Sequence, residues 1–138
     1  MSSALDNIQQ AIYSLLTGDT TLMSKITGVY DEVPQDLVND DTNFPFVTIG
    51  EATSVPFRTM SRFGEECTVT LHIWSRYKGF KEALEILDDL NRLLADQDLS
   101  VAGYDTAACF YEFSETLRDP DGKTRHVPVR YRIIVQKQ

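Results

Sequence analysis

Two histidines and two cysteines are the side chains in this 138-residue sequence best suited to metal or nucleophilic chemistry. His72 and His126 each fall in a stretch that alternates apolar and polar residues, on the polar side. Cys67 and Cys109 fall in similar stretches on the apolar side, without the C-x-x-C spacing of a zinc or redox motif. A zinc site made of His72, His126 and Cys109 would need all three to converge, and the alternation turns Cys109 away. The cysteines read as buried thiols. Residues 31–43 hold Asp31, Glu32, Asp36, Asp40 and Asp41 with no basic side chain. Clustered carboxylates suit a hard cation, but the spacing is not that of a calcium loop and the stretch has no glycine. It reads as a solvated loop or a subunit contact. There is no serine in a nucleophile elbow, no phosphate loop and no dinucleotide fingerprint. With 21 acidic side chains some carboxylate pair is always at hand, so pairs carry no information. No catalytic residue, metal site or cofactor is expected, and Trp74 reads as a packing residue partly covered by a helix or a neighbour.

The elements that would position these residues centre on residues 68–94. Cys67, Val69, Leu71 and Ile73 alternate with Thr68, Thr70, His72 and Trp74, which predicts a strand. Phe80, Ala83, Leu84, Leu87, Leu90 and Leu94 then recur at helical spacing. Between them lies the short polar link Ser75-Arg76-Tyr77-Lys78-Gly79. Upstream, Leu5, Ile8, Ile12, Leu15 and Leu16 make the stripe of a helix over 3–16, with Ser2 or Ser3 as cap. A short helix over 20–26 follows, capped by Asp19. Val29-Tyr30 begins a short strand. Residues 44–53 read as a strand with Pro45 at its start, where a missing donor is tolerated. Residues 55–66 are long for a hairpin turn. They combine Phe57, Arg58, Met60, Arg62 and Phe63, and read either as a loop folded back on the core or as a projecting arm that orders on a partner.

Downstream, residues 96–98 and Gly103 mark a loop. Residues 106–117 read as a strand with Cys109, Tyr111, Phe113 and Leu117 on one face. Asp119-Pro120-Asp121-Gly122 is a turn, and residues 125–135 form the last strand. There Val127, Val129, Tyr131, Ile133 and Val135 oppose His126, Pro128, Arg130, Arg132 and Ile134, and Pro128 predicts an edge or a bulge. The order of helix, helix, strands, helix, hairpin predicts a single α+β domain: a mainly antiparallel sheet flanked by helices.

No apolar run approaches a membrane span, and the first residues resemble no secretory leader, so a soluble protein made in a cytoplasm is expected. The net charge of −8 argues against tight nucleic-acid binding. Its distribution says more. The first 117 residues carry 7 basic and 19 acidic side chains, a balance of −12; residues 118–138 carry six against two, a balance of +4. That is either solvated surface or the two complementary edges of a head-to-tail contact.

One ordered set of motifs adds to this. His72, Trp74, Ser75, Arg76, Lys81, Ala83 and Ile86 are followed by Arg118, Asp119, Asp121, Gly122, Thr124, Arg125, His126, Arg130, Tyr131 and Arg132. With the N-terminal helix and the Phe44-Pro45-Phe46-Val47 segment, this set resembles the tail-completion proteins of long-tailed bacteriophages over nearly the whole chain. The resemblance implies a structural tail terminator, with no catalytic residues. It would be a homo-oligomeric ring, hexameric in the family, at the head-proximal end of the tail tube. It would stop tube polymerisation and meet the head connector, in a virion assembled in the host bacterial cytoplasm. DNA would pass through without specific binding. On this reading Arg76, Arg125, Arg130 and Arg132 are expected at subunit contacts, Arg76 otherwise anchoring the strand–helix junction. Phe57, Arg58, Met60, Arg62 and Phe63 are expected on an arm that meets the tube protein or the connector. The alternatives are another neck component, such as a connector or stopper ring, and a small ligand-binding or enzymatic α+β domain with a cleft near His72 and Trp74.

Overall fold

The computed structural model describes residues 4–33, 36–58 and 63–137, apart from the side chains of Phe57, Arg58 and Thr106. Two helices, α1 (Leu5–Thr17) and α2 (Thr20–Met23), precede a two-residue strand β1 (Val29–Tyr30). Short 3-10 turns at Leu37–Asn39 and Asp41–Asn43 lead to the long strands β2 (Phe46–Arg58) and β3 (Phe63–Ser75). Helix α3 (Lys81–Leu94), strands β4 (Gln97–Asp98), β5 (Tyr104–Ser114) and β6 (Leu117–Arg118), and the final strand β7 (Arg125–Lys137) complete the chain. One sheet runs β1-β2-β3-β7-β5-β4, with β6 also on β7. Every pairing is antiparallel except β1 with β2. The expected α+β class is therefore what folds.

The helices cover one face. Ile8, Ile12 and Leu16 of α1 and Ala83, Ile86, Leu90 and Leu94 of α3 are fully buried against Cys67, Leu71 and Ile73 of β3 and Val127, Val129, Tyr131, Ile133 and Val135 of β7. Each buried aliphatic side chain is worth roughly 1.5–3 kcal/mol of transfer free energy. The Tyr131 hydroxyl, inside this core, donates to Asn91 Oδ1 at 2.6 Å, which satisfies a polar group that would otherwise be buried alone. Leu84 departs from the expected stripe and is 39% exposed, while Ile86 is buried. A helix turns about 100° per residue, so Leu84 lies a quarter-turn round from Ala83 and Ile86 lies nearer the stripe. Asp19 caps α2 as expected, accepting from the Leu22 N–H at 2.9 Å. Around Asp19 and Asp89, Arg92 and Lys25 tie α2 to α3. The Ala4 N–H donates to the buried carboxylate of Glu65 at 3.0 Å, and Ser2 and Ser3 lie outside the described residues.

Three features revise the expected strands. Residues 55–58 and 63–66 are not loop: the β2–β3 ladder continues to Arg58↔Phe63 and residues 64–66 also pair with β7, so both stretches belong to the sheet. Residues 59–62, including Met60 and Arg62, lie outside the described residues. Pro128 sits in an interior strand, not on an edge. Its carbonyl accepts from Glu115 N–H at 3.2 Å. Its nitrogen therefore faces the same side, into the break between β5 and β6, where no ladder donor is needed. Finally β5 carries an extra residue between Tyr111↔Tyr131 and Phe113↔Arg130. The bulge reverses the alternation, so Cys109 is buried while Phe113 joins the opposite face and is 41% exposed. Among the described residues no helix is long and apolar enough to cross a membrane.

Candidate functional site

Among the described residues no helix covers the second face of the sheet, and that face collects the residues with functional chemistry. At one end Trp74 stacks on His126, ring centres 3.9 Å apart and planes within 6°. Its indole N–H donates to Thr48 Oγ1 at 3.2 Å, and Phe46, Phe44 and Tyr30 continue the aromatic layer. His72 and His126 do converge, with Nδ1 and Nε2 2.6 Å apart, and His72 Nε2 lies 3.0 Å from Glu51. Two devices arrange this chain of groups. A bulge between Ile49 and Ala52 brings Glu51 beside His72. Gly50 leaves room for the imidazole, since a Cβ there would sit 2.6 Å from His72 Cδ2. Burial, and then the neighbouring His72, hold His126 below the ordinary histidine range. Cys109 is on the other face, as the alternation required. Burial pushes its thiol up to about 12 and that of Cys67 up to about 11, so both are protonated and inert at neutral pH.

Arg76 closes this end. Its side chain is only 10% exposed. Nη1 donates to Asp41 at 2.8 Å, Nε donates to the Thr124 hydroxyl at 3.1 Å, and the guanidinium lies 4.1 Å over the Phe44 ring. The Thr124 hydroxyl in turn donates to Asp121 in the turn before β7. Hydrogen bonds from the Thr124 side chain and from backbone amides hold the Asp121 carboxyl down at about 2. Arg76 and then Lys123 lower Asp41. One guanidinium thus pins three segments that are remote in sequence: the end of β3, the 3-10 turn at Asp41–Asn43 and the β6–β7 turn. These contacts all lie within its own chain. A cleft of about 450 Å³ opens here, lined by Val38, Phe44, Phe46, Trp74, Arg76 and Asp119 among others.

The remaining arginines fall into two groups. Arg130 and Arg132 lie on the open face. Arg130 Nε is 3.2 Å from Glu112, the residue added by the β5 bulge, and lies over Phe113; Arg132 pairs with Glu66 at 3.3 Å over Phe110. Arg125 belongs to the helix side, across from the buried Ser75, and lies 5.9 Å over the Phe80 ring. On the described part of the arm, Phe63 is half-buried. The acidic loop holds no metal cluster: no group of three or more metal-ligating side chains occurs among the described residues. Of the partners Asp41, Glu51, Glu112 and Thr124, the sequence points to Asp41 only as part of the acidic loop and to Thr124 only as part of the motif set, and it does not mark Glu51 or Glu112. Two of them sit at bulges or beside them and two in turns, where neither period applies.

The chain is a one-sheet α+β domain with helices over one face and the other face open. The comparisons agree. The family model of the tail completion protein gp17 matches residues 10–136, so the chain belongs to that family of structural phage tail proteins. The tail completion protein gp17 of Bacillus phage SPP1 is 30% identical over 95 residues, which cover 69% of this chain and 70% of that protein. The solved structure of bacteriophage SPP1 gp17 superimposes with a TM-score of 0.60 at 26% identity, over 91% of this chain and 86% of that one. A chain of the virion of a native gene transfer agent particle gives 0.85 at 18% identity, over 99% of both chains, a likeness of fold.

Proposed function

We propose that this protein forms a ring, hexameric as the resemblance implies, at the head-proximal end of the tail tube. There it ends tube polymerisation and presents a surface to the head connector, within the virion, while DNA passes through the centre. The observation that carries this reading is the family match over residues 10–136. The open sheet face adds to it. Val55, Phe113 and Leu117 stand 61%, 41% and 38% exposed there, apolar surface that a neighbour or partner would cover. The partition of charge supplies the two unlike edges that a closing head-to-tail contact needs. A net acidic chain also suits a conduit, because each phosphate it leaves unneutralised is one less point of retention.

On this reading Arg125, Arg130 and Arg132 lie at subunit contacts, and the β2–β3 arm with Phe57, Arg58, Met60, Arg62 and Phe63 meets the tube protein or the connector. The test is electron microscopy of the protein mixed with its own tail-tube protein. Rings seated on tube ends, and tubes that stop lengthening, are expected; tubes that grow unchecked overturn the reading. Deleting residues 58–62 should abolish capping or head joining in particle assembly, and intact assembly by that variant removes the arm from the interface.

A further inference from the structure

Six arginine side chains are described, and four have a carboxylate partner within the chain: Arg76, Arg92, Arg130 and Arg132. Arg118 and Arg125 have none among the described residues. They face each other directly across the β6–β7 ladder, where like charges oppose one another at a cost. Both lie over one ring, Phe80, at 5.8 and 5.9 Å. Arg125 Nε is buried without an acceptor, and its Nη1 reaches only the Gly122 carbonyl at 3.5 Å. A second set of charges is equally uncompensated. Asp6, Asp31 and Glu32 line a groove of about 560 Å³ with Tyr13 and Tyr30, and none has a cationic partner among the described residues.

The two sets cannot meet in one chain. Tyr30 pairs with Thr48, Thr48 with His72, and His72 with Pro128. Those are three strand spacings, roughly 14 Å. Strands β1 and β7 run the same way across that register, so Asp31 and Glu32 continue away from Arg125. We propose that Arg118 and Arg125 form a two-pronged clamp for Asp31 and Glu32 of a second copy of this chain. The contact rests on the ring reading and gives that ring its polarity: the β6–β7 corner of each subunit enters the α1–β1 groove of the next. It also separates the arginines. Those on the open face are already neutralised, so the electrostatic part of the subunit contact belongs to the pair over Phe80.

Two variants test it, Arg118→Glu/Arg125→Glu and Asp31→Lys/Glu32→Lys, in sedimentation and in tube capping. All the altered side chains are exposed or half-buried, and thermal melting checks that both variants fold. Native protein should self-associate, in solution or on tube ends, and weaken with salt. Each variant alone should associate at least tenfold more weakly. An equimolar mixture should regain the native assembly, because every contact is then restored with unlike charges. A mixture that stays as single chains overturns the proposal, as does either variant assembling like the native protein. Native protein that caps tubes together with variants that cap equally well keeps the tail role and removes only this contact. Native protein that neither self-associates nor caps overturns both.

Discussion

The two faces of the sheet are made by the same strands and obey different rules. On the helix side β3 and β7 present Cys67, Leu71, Ile73, Val127, Val129 and Ile133, all fully buried. Their spacing is regular, their chemistry uniform, and their partners are whatever apolar surface α1 and α3 bring. On the open side the same strands present Thr68, Thr70, His72, Trp74, Arg130 and Arg132. Here individual side chains have specific partners: His72 has Glu51 at one bulge, Arg130 has Glu112 at the other, Trp74 has Thr48 and Arg132 has Glu66, while Arg76 at the end of β3 binds Asp41 and Thr124 in turns. The lesson is that the closed face secures the fold by volume. The open face depends on a few directional contacts that fix local shape, each worth less than a core side chain.

That contrast can be broken by substitution. Ile133→Ala on the closed face should cost about 2–5 kcal/mol, the usual range for emptying a buried aliphatic site; a smaller loss in denaturant titration would mean the core relaxes into the gap. Arg76→Ala should cost about 1.5–3 kcal/mol through its charged hydrogen bonds. It should also raise amide exchange at Thr42 and Thr124 selectively, since their segments are held by that guanidinium. Gly50→Ala should cost about 1–3 kcal/mol by overpacking against His72, and loss of the His72–His126 contact should appear in histidine NMR shifts. A pH series sharpens the same point. His126 titrates below its ordinary value in the folded chain. The unfolded chain therefore takes up a proton first as pH falls. Stability from this group is complete above about pH 6.5 and declines as pH drops towards the folded value. His126→Gln should flatten that part of the profile; an unchanged slope would assign it elsewhere. Smallest of all, Arg132→Ala should change the stability of the single chain by less than about 1 kcal/mol, because its pair with Glu66 is solvent-exposed.

Much of the closed face was legible because burial imposes a period. The stripes of α1 and α3, the inner faces of β3 and β7, the cap at Asp19 and the turn at Asp119–Gly122 all follow from local spacing. The errors came where period fails. Leu84 was placed in the stripe by counting apolar residues without their angle. Phe113 and Leu117 were grouped with Cys109 because the β5 bulge is invisible in a string of letters. Residues 55–58 and 63–66 look like loop because of Pro56, Gly64 and a mixed composition, whereas the β2–β3 and β3–β7 ladders pair them.

The sequence by itself determined the α+β class, the membership of the core, the absence of a recognisable enzyme motif and, through its motif order, the kinship with tail completion proteins. These rest on local periodicity and on residue identity, which need no partner to be read. Only the tertiary structure decided that His72 meets His126, that Arg76 binds Asp41 and Thr124, and that Arg118 and Arg125 are left facing each other without an acid. The first two pairings join residues 35 to 54 positions apart, and Arg118 meets Arg125 through the β6–β7 register. Strand register and bulges set them, and register is a property of two strands together.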